Sequence, residues 1–93
     1  MDDRLGKFLR MLAVNLGADI IRPYKADPAD VDLSNFKADL DTIYRYEADG
    51  LLYTGRTHTA SYLPRHPVNM IEVALTSEGA ERWRSTWVAK GSL

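Results

Sequence analysis

The sequence predicts an α+β fold in which three N-terminal helices precede a two-stranded β-hairpin and a C-terminal helix. Apolar residues recur at helical spacing over residues 5–16 and again over 36–47. After Gly50 the spacing changes to that of strands, and Thr76 then opens a final amphipathic stretch. Together these features predict one domain over residues 1–93.

The first helix is predicted from a continuous apolar stripe. Its members share one helix face and are Leu5, Phe8, Leu9, Leu12, Ala13 and Leu16. Asp2 and Asp3 favour the positive N-terminal end of this helix, and Gly17 predicts its end. Ile20 and Ile21 follow as apolar residues that are expected to be buried.

Two further helices are predicted before the hairpin. Asp27-Pro28 is typical of a helix start and predicts a short helix over residues 28–32. A longer helix follows, with Ser34 as its expected N-cap and Gly50 at its end. The inner face of this longer helix is expected to carry Phe36, Leu40, Ile43, Tyr44 and Glu47.

The hairpin is predicted from two β-rich runs, residues 51–54 and 68–75, joined by a long loop over 55–67. Alternate residues of the second run are expected to face the core, namely Ile71, Val73 and Leu75. Thr76 is the expected N-cap of the last helix. The apolar face of that helix is formed by Ala80, Trp83 and Trp87.

Two strings give this order of elements a family resemblance. The string LDTIYRYEADGLL over residues 40–52 resembles the end of the recognition helix and the first wing strand of winged helix-turn-helix regulators. The string VALTSEGA over 73–80 resembles the junction of wing and last helix in PadR-like and MarR-like regulators. The resemblance covers residues 34–84. It implies a small winged-helix domain that reads duplex DNA with the helix over 34–49 and the wing.

Composition narrows the classes of function. The 93 residues include no cysteine, which excludes disulfides, thiolate metal sites and cysteine nucleophiles. No apolar run reaches the roughly 18 residues that span a bilayer, and no signal-peptide pattern is present, so a cytoplasmic protein without membrane contact is expected. Motifs for nucleophilic catalysis, phosphate cradling and dinucleotide binding are missing, so neither an enzyme nor a cofactor site is expected.

The outer face of the helix over residues 34–49 is the first candidate binding surface. Its expected binding residues are Ser34, Lys37, Thr42 and Arg45. Arg45 or Lys37 could contact guanine or phosphate in a major groove. The alternative is a solvated face on which both cations form ion pairs with Asp41. The helix carries more acids than bases, so phosphate contacts would have to come largely from elsewhere.

The loop over residues 55–67 is the second candidate surface. It contains no acid, and its expected binding residues are Arg56, Thr57, His58, Arg65 and His66. This composition suits the phosphates or minor groove of duplex DNA, an acidic protein surface, or a solvated turn. His58 and His66 lack the further ligands that a zinc site requires, so no metal site is expected.

The two tryptophans and the charge pattern leave two functions open. Trp83 and Trp87 are expected either to form a homodimer interface or to pack on the first helix. The first function is a small dimeric DNA-binding transcription regulator. The second is a non-enzymatic protein-interaction module, such as a small adaptor or inhibitor from a phage or other mobile element. Residues 19–49, with eight acids against four bases, fit the second function.

Overall fold

The computed structural model describes residues 3–59 and 68–89, with side chains up to Thr86. The elements in chain order are α1 (Arg4–Met11), β1 (Arg22–Lys25), α2 (Ser34–Ala48), β2 (Leu52–Thr59), β3 (Val68–Leu75) and α3 (Ser77–Ala89). A π-helical turn over Leu12–Leu16 extends α1. The described part of the chain therefore has an α+β architecture. None of its helices combines the length and apolar character needed to cross a membrane.

The three strands form one antiparallel sheet in the order β1-β3-β2. In the central strand, Leu75 lies opposite Leu52 of β2, and Ile71 lies opposite Tyr24 of β1. The predicted two-stranded hairpin is present as β2 and β3, but the sheet has a third strand, β1, that was not predicted. Pro23 is compatible with β1 because this strand is at the sheet edge, where a missing N–H costs no ladder hydrogen bond.

The core lies between the sheet and the helices. Ile71, Val73 and Leu75 of β3 are buried as predicted, and Ala74 is buried as well. They join buried residues of the helices, including Leu5, Leu9, Leu12, Phe36, Ile43 and Trp83. The predicted burial of Leu16, Ile20 and Ile21 is wrong. The chain leaves the helix at Gly17, where φ is +85°, and crosses to the sheet, leaving these side chains at least 36% exposed.

Residues 28–32 form two successive turns in place of the predicted short helix. Asp27 Oδ1 accepts the N–H of Ala29 at 3.0 Å, and the carbonyls of Asp27 and Asp30 each accept an N–H three residues further on. A side-chain acceptor that bonds to the local backbone competes with the helical hydrogen-bond ladder. Two α-helices, α1 and α2, therefore precede the hairpin in the described residues, where three were expected.

Carboxylates that precede α2 in the chain cap this helix, so the prediction that Ser34 is its N-cap is wrong. Ser34 is already helical, and Leu33 precedes it in the left-handed conformation with φ 61°. The side chain of Asp30, a residue only 8% exposed, accepts the N–H groups of Asn35 at 3.3 Å and Phe36 at 2.8 Å. The capping acceptor thus comes from the turns before the helix.

The inner face of α2 differs from the predicted one near the end of the helix. Ile43 is buried and Leu40 is half-buried as expected, but Tyr44 is 47% exposed. Tyr46 is half-buried instead, with its ring 5.0 Å from that of Trp83 in an edge-on arrangement. This contact depends on where α3 packs against α2. The spacing of apolar residues within α2 carries no information about the position of α3.

Thr76 connects the hairpin to α3 and caps the helix as predicted. Its hydroxyl accepts the N–H of Gly79 at 3.0 Å and donates to the carbonyl of Gly50 at 2.8 Å. Gly50, with φ +77°, closes α2 as expected. A Cβ atom on Gly79 would lie 1.8 Å from the carbonyl oxygen of Leu51. Glycine is therefore required where α3 passes the start of the hairpin.

Some backbone groups at each sheet edge are already hydrogen-bonded or absent. On β1, Pro23 has no N–H, and the carbonyl of Lys25 accepts a hydrogen bond from the Arg4 guanidinium at 3.0 Å. On β2, Glu47 Oε2 accepts the backbone N–H of Thr54 at 3.0 Å and its hydroxyl at 3.1 Å. These contacts interrupt the row of free groups that an edge strand otherwise presents.

Candidate functional site

β2 extends into the predicted loop and carries three of the expected binding residues. Arg56, Thr57 and His58 are exposed, but they belong to the strand. The prediction of a loop over 55–67 is therefore wrong for residues 55–59, which pair with β3 through a bulge. Arg65 and His66, also expected to bind, lie outside the described residues.

The bulge in β2 brings Arg56 against an acid of β3. The pairing register shifts between Thr54 and Thr57, which leaves one extra residue on β2. Glu72 Oε1 accepts the backbone N–H of Arg56 at 2.9 Å and lies 3.5 Å from its Nε. The Arg56 side chain is 88% exposed, yet its positive charge is partly offset by this carboxylate.

His58 lies on the same strand, beside an open groove. Its Nδ1 is 3.4 Å from Oδ1 of Asn69 across the hairpin. Both residues line a groove of about 700 Å³ that also borders Lys25 and the turns after β1. Within residues 3–59 and 68–89, no group of three histidine or acidic side chains is arranged to hold a metal ion.

The outer face of α2 presents the other expected binding residues. Ser34, Lys37 and Arg45 are exposed, whereas Thr42 is half-buried and donates its hydroxyl to the carbonyl of Ala38 at 3.2 Å. The ion pairs expected of a solvated face do not form. Among the described residues, no carboxylate lies within 4 Å of either cation.

The N-terminal end of α2 is acidic, and its acids have structural roles. Asp27, Asp30 and Asp32 each accept at least one backbone N–H. The hydrogen bond from the N–H of Ser34 holds the pKa of Asp32 below its ordinary value. Residues 27–49 contain seven acids and two bases, a net charge of −5. The exposed part of this charge repels phosphate groups.

Tyr24 links α1, β1 and α2, and the sequence analysis missed it because β1 was not predicted. Its hydroxyl donates to Asp39 Oδ2 at 2.5 Å, and its ring contacts those of Phe8 and Phe36 at centroid distances of 5.0 Å and 5.8 Å. The guanidinium of Arg4 lies 5.5 Å from the ring centroid. Burial, helped by the bond to Asp39, raises the pKa of Tyr24 far above its ordinary value.

Trp83 packs within a single chain. It is 7% exposed and contacts Tyr46, so packing within the chain accounts for its burial. α3 also packs on α1. Packing on the first helix was the alternative to a homodimer interface for the two tryptophans. The side chain of Trp87 lies outside the described part of the chain. The homodimer therefore stays a prediction.

The expected binding residues that the structure describes lie on two elements, α2 and β2, which are joined by the hydrogen bonds between Glu47 and Thr54. No family model, curated protein or solved structure matches this chain. The resemblance to winged-helix regulators stays a prediction, and the function has to be inferred from the geometry and charge of the two elements.

Proposed function

We propose that this protein is a non-enzymatic protein-interaction module on a winged-helix scaffold, with the outer face of α2 as its binding surface. The order of elements supports this scaffold. α2 ends at Gly50 and runs directly into the β2–β3 hairpin, as the recognition helix runs into the wing in the regulators that the sequence resembles. β1 adds a third strand on the far side of β3.

The acidic N-terminal end of α2 is the observation that favours a protein partner over DNA. A recognition helix places its N-terminal residues against the base edges of the major groove. Here Asp27, Asp30 and Asp32 surround that end, and their hydrogen bonds to the backbone hold them there. DNA affinity depends on phosphate neutralisation by lysine and arginine, so fixed carboxylates at this position oppose it.

The outer face of α2 offers groups that protein interfaces favour. Arg45 and Tyr44 are adjacent and exposed, and arginine and tyrosine are enriched among the residues that contribute most to interface affinity. Lys37 and Asp41 are also exposed on this helix, so its surface mixes both signs of charge. A protein partner can complement such a mixture, whereas a duplex presents negative charge alone.

Duplex DNA binding by the hairpin is the second candidate. The exposed Arg56, Thr57 and His58 favour it, because side chains of these types contact phosphates in many complexes. The carboxylate of Glu72 beside Arg56 reduces the positive charge that this strand can offer.

A salt titration with non-specific duplex DNA separates the two candidates. We expect no measurable duplex binding at about 0.1 M salt, even at high micromolar protein, because carboxylates surround the N-terminal end of α2. Binding with a linear fall of log K against log salt would contradict the proposal. In that case Arg56→Ala should reduce the slope by about 0.9, the contribution of one phosphate contact.

Two substitutions on α2, of which one reverses a charge, test its surface directly. Tyr44→Ala and Arg45→Glu should abolish capture of a protein partner that the wild-type chain retains. Arg82→Glu makes the same charge change at an exposed site on α3 and should leave that capture intact. Thermal unfolding of each variant shows that the fold persists. Retention of every partner by both α2 variants would contradict the assignment of this surface.

A further inference from the structure

An exposed apolar patch lies at the end of the sheet where the chain enters β1. Ile20 and Ile21 are adjacent in this entry segment, and both are at least 36% exposed, as is Tyr53 of β2. The hydroxyl of Tyr53 donates to Asp19 Oδ1 at 2.7 Å, which brings its side chain beside the two isoleucines. We call Ile20, Ile21 and Tyr53 the sheet-end patch. None of the three belongs to the buried core.

Tyr53 lies on the face of the sheet that is turned away from the helices. It pairs with Ala74, and alternation along β3 directs Ala74 away from the core that Val73 and Leu75 face. The N–H of Asp19 donates to the carbonyl of Leu75 on the β1 side of β3. To reach Asp19, the Tyr53 side chain therefore crosses β3. Ala74 is only 1% exposed because this side chain covers it.

The apolar character of the patch indicates that another molecule covers it. The open face of an antiparallel sheet is ordinarily polar. Single exposed apolar side chains are common on protein surfaces, but contiguous ones mark sites of interaction. Two adjacent isoleucines and a tyrosine beside them are contiguous. A duplex, whose surface is a row of phosphates, offers no group that would favour their burial.

The charges on either side of the isoleucines point to the identity of the partner. Asp19 precedes Ile20, and Arg22 follows Ile21. In the part of the chain that the structure describes, no cation lies within 4 Å of the Asp19 carboxylate, and no carboxylate lies within 4 Å of the Arg22 guanidinium. The order of acid, two isoleucines and base is complementary to itself when it is reversed. A second copy of the same segment, running in the opposite direction, supplies the missing charge to each residue.

We infer that two copies of this chain associate through their sheet-end patches, related by a two-fold axis. Asp19 of each copy faces the partner's Arg22, and the isoleucines pack between the two ion pairs. A two-fold interface uses the same patch on both copies, so it closes at the dimer. It is distinct from an interface formed by the tryptophans of α3, and it does not depend on the function proposed for α2.

The size of the patch predicts a weak dimer. The outer strands of this three-stranded sheet are about 10 Å apart, so the end of the sheet buries less than the roughly 800 Å² per partner of a stable interface. We therefore expect the dimer to form only as the concentration rises. α2 packs on the other face of the sheet through Phe36 and Ile43, so the dimer leaves both α2 surfaces free.

Sedimentation equilibrium of the wild-type chain from micromolar to millimolar concentration, with amide chemical shifts over the same range, tests this inference. We expect a reversible monomer–dimer equilibrium and concentration-dependent shifts at residues 19–22 and 53. Ile21→Ser should raise the dimer Kd at least about tenfold, because each substitution acts twice in a symmetric interface. Val31→Ser is the matched control, an apolar side chain that is 83% exposed elsewhere, and should change the Kd by less than about twofold.

An exchange of charges tests the two-fold arrangement itself. Arg22→Asp and Asp19→Lys should each raise the dimer Kd by about tenfold, because like charges then face each other in both halves of the interface. In an equimolar mixture of the two variants, acids face bases again only in the mixed pair. Association in the mixture should therefore recover to within about threefold of the wild-type chain. Thermal unfolding of each variant checks its fold, and Ile21→Ser decides the matter if Asp19→Lys does not fold.

Four outcomes would overturn the inference. The first is a folded wild-type monomer at millimolar concentration, which would indicate that a different protein covers the patch. The second is a set of dilution shifts confined to α3, which would indicate an interface at the tryptophans. The third is an equal loss of association with Val31→Ser, which would indicate unspecific apolar contact. The fourth is no recovery in the mixture when both charge variants are folded.

Discussion

The side chain of Asp30 accepts the backbone N–H groups of both Asn35 and Phe36, so one nearly buried carboxylate satisfies two orphan donors in the first turn of α2. The same carboxylate contributes negative charge to the end of the helix that a DNA-reading protein would insert into the major groove. Helix stability and the charge of the candidate surface are therefore coupled through one residue.

Asp30→Ala should lower the free energy of unfolding by about 1–3 kcal/mol, because it removes the cap and leaves two N–H groups without an acceptor. Asp30→Asn should recover part of this loss, since its amide oxygen can accept one of the bonds. Urea unfolding measures both changes. Asp41→Ala, an exposed acid on the same helix, is the control and should change stability by less than about 0.5 kcal/mol.

Ile43→Ala should destabilise the fold by about 2–4 kcal/mol, because this side chain is fully buried in the core. Leu40→Ala should cost less, since Leu40 is only half-buried. Chemical unfolding of these two variants and of Asp41→Ala gives the order of their effects on stability. If Asp41→Ala were the most damaging of the three, the inner face of α2 would be wrongly assigned.

Gly79→Ala should destabilise the protein by about 1–3 kcal/mol, although alanine is the better helix former. The added Cβ would collide with the carbonyl of Leu51, a backbone group that cannot move without shifting the start of β2. Ser85→Ala, an exposed position in the same helix, should change stability by less than about 0.5 kcal/mol. Equal thermal midpoints for the two variants would argue against the close approach at Gly79.

Stability should fall as the pH rises above about 10, and Tyr24 should cause part of this fall. Its folded pKa is raised by burial above the ordinary value of 10.0, so the unfolded chain releases this proton first. The contribution is therefore present below pH 10.0 and is lost as the pH rises towards the folded pKa. Unfolding free energies across this range should decline less steeply for Tyr24→Phe. Parallel curves for the two proteins would contradict the assignment.

Regular side-chain spacing explains which parts of the fold the sequence predicts. The stripe of α1, the inner residues Phe36 and Ile43, and the alternation in β3 all repeat over enough residues to identify a buried face. β1 has only four residues, one of which is Pro23, and its strand conformation depends on pairing with β3. Tertiary pairing of this kind leaves no periodic signal in the sequence.

The features of the candidate surfaces also fall into two groups, those that helical spacing predicts and those that depend on tertiary pairing. Exposure of Lys37 and Arg45 follows from their helical positions, and it was predicted. The contact between Arg56 and Glu72 was not, because it depends on a bulge that fixes which residues face each other across two strands.

The engaged sheet edges affect how this chain behaves when it is concentrated. A strand from a second molecule that approached β1 would meet Pro23 and the bond between Arg4 and Lys25, and one that approached β2 would have to displace Glu47 from Thr54. Each obstacle opposes the strand-by-strand addition that leads to fibrils. Such growth is a hazard for any small domain with unpaired edge strands. The same contacts that attach α1 and α2 to the sheet therefore also oppose polymerisation.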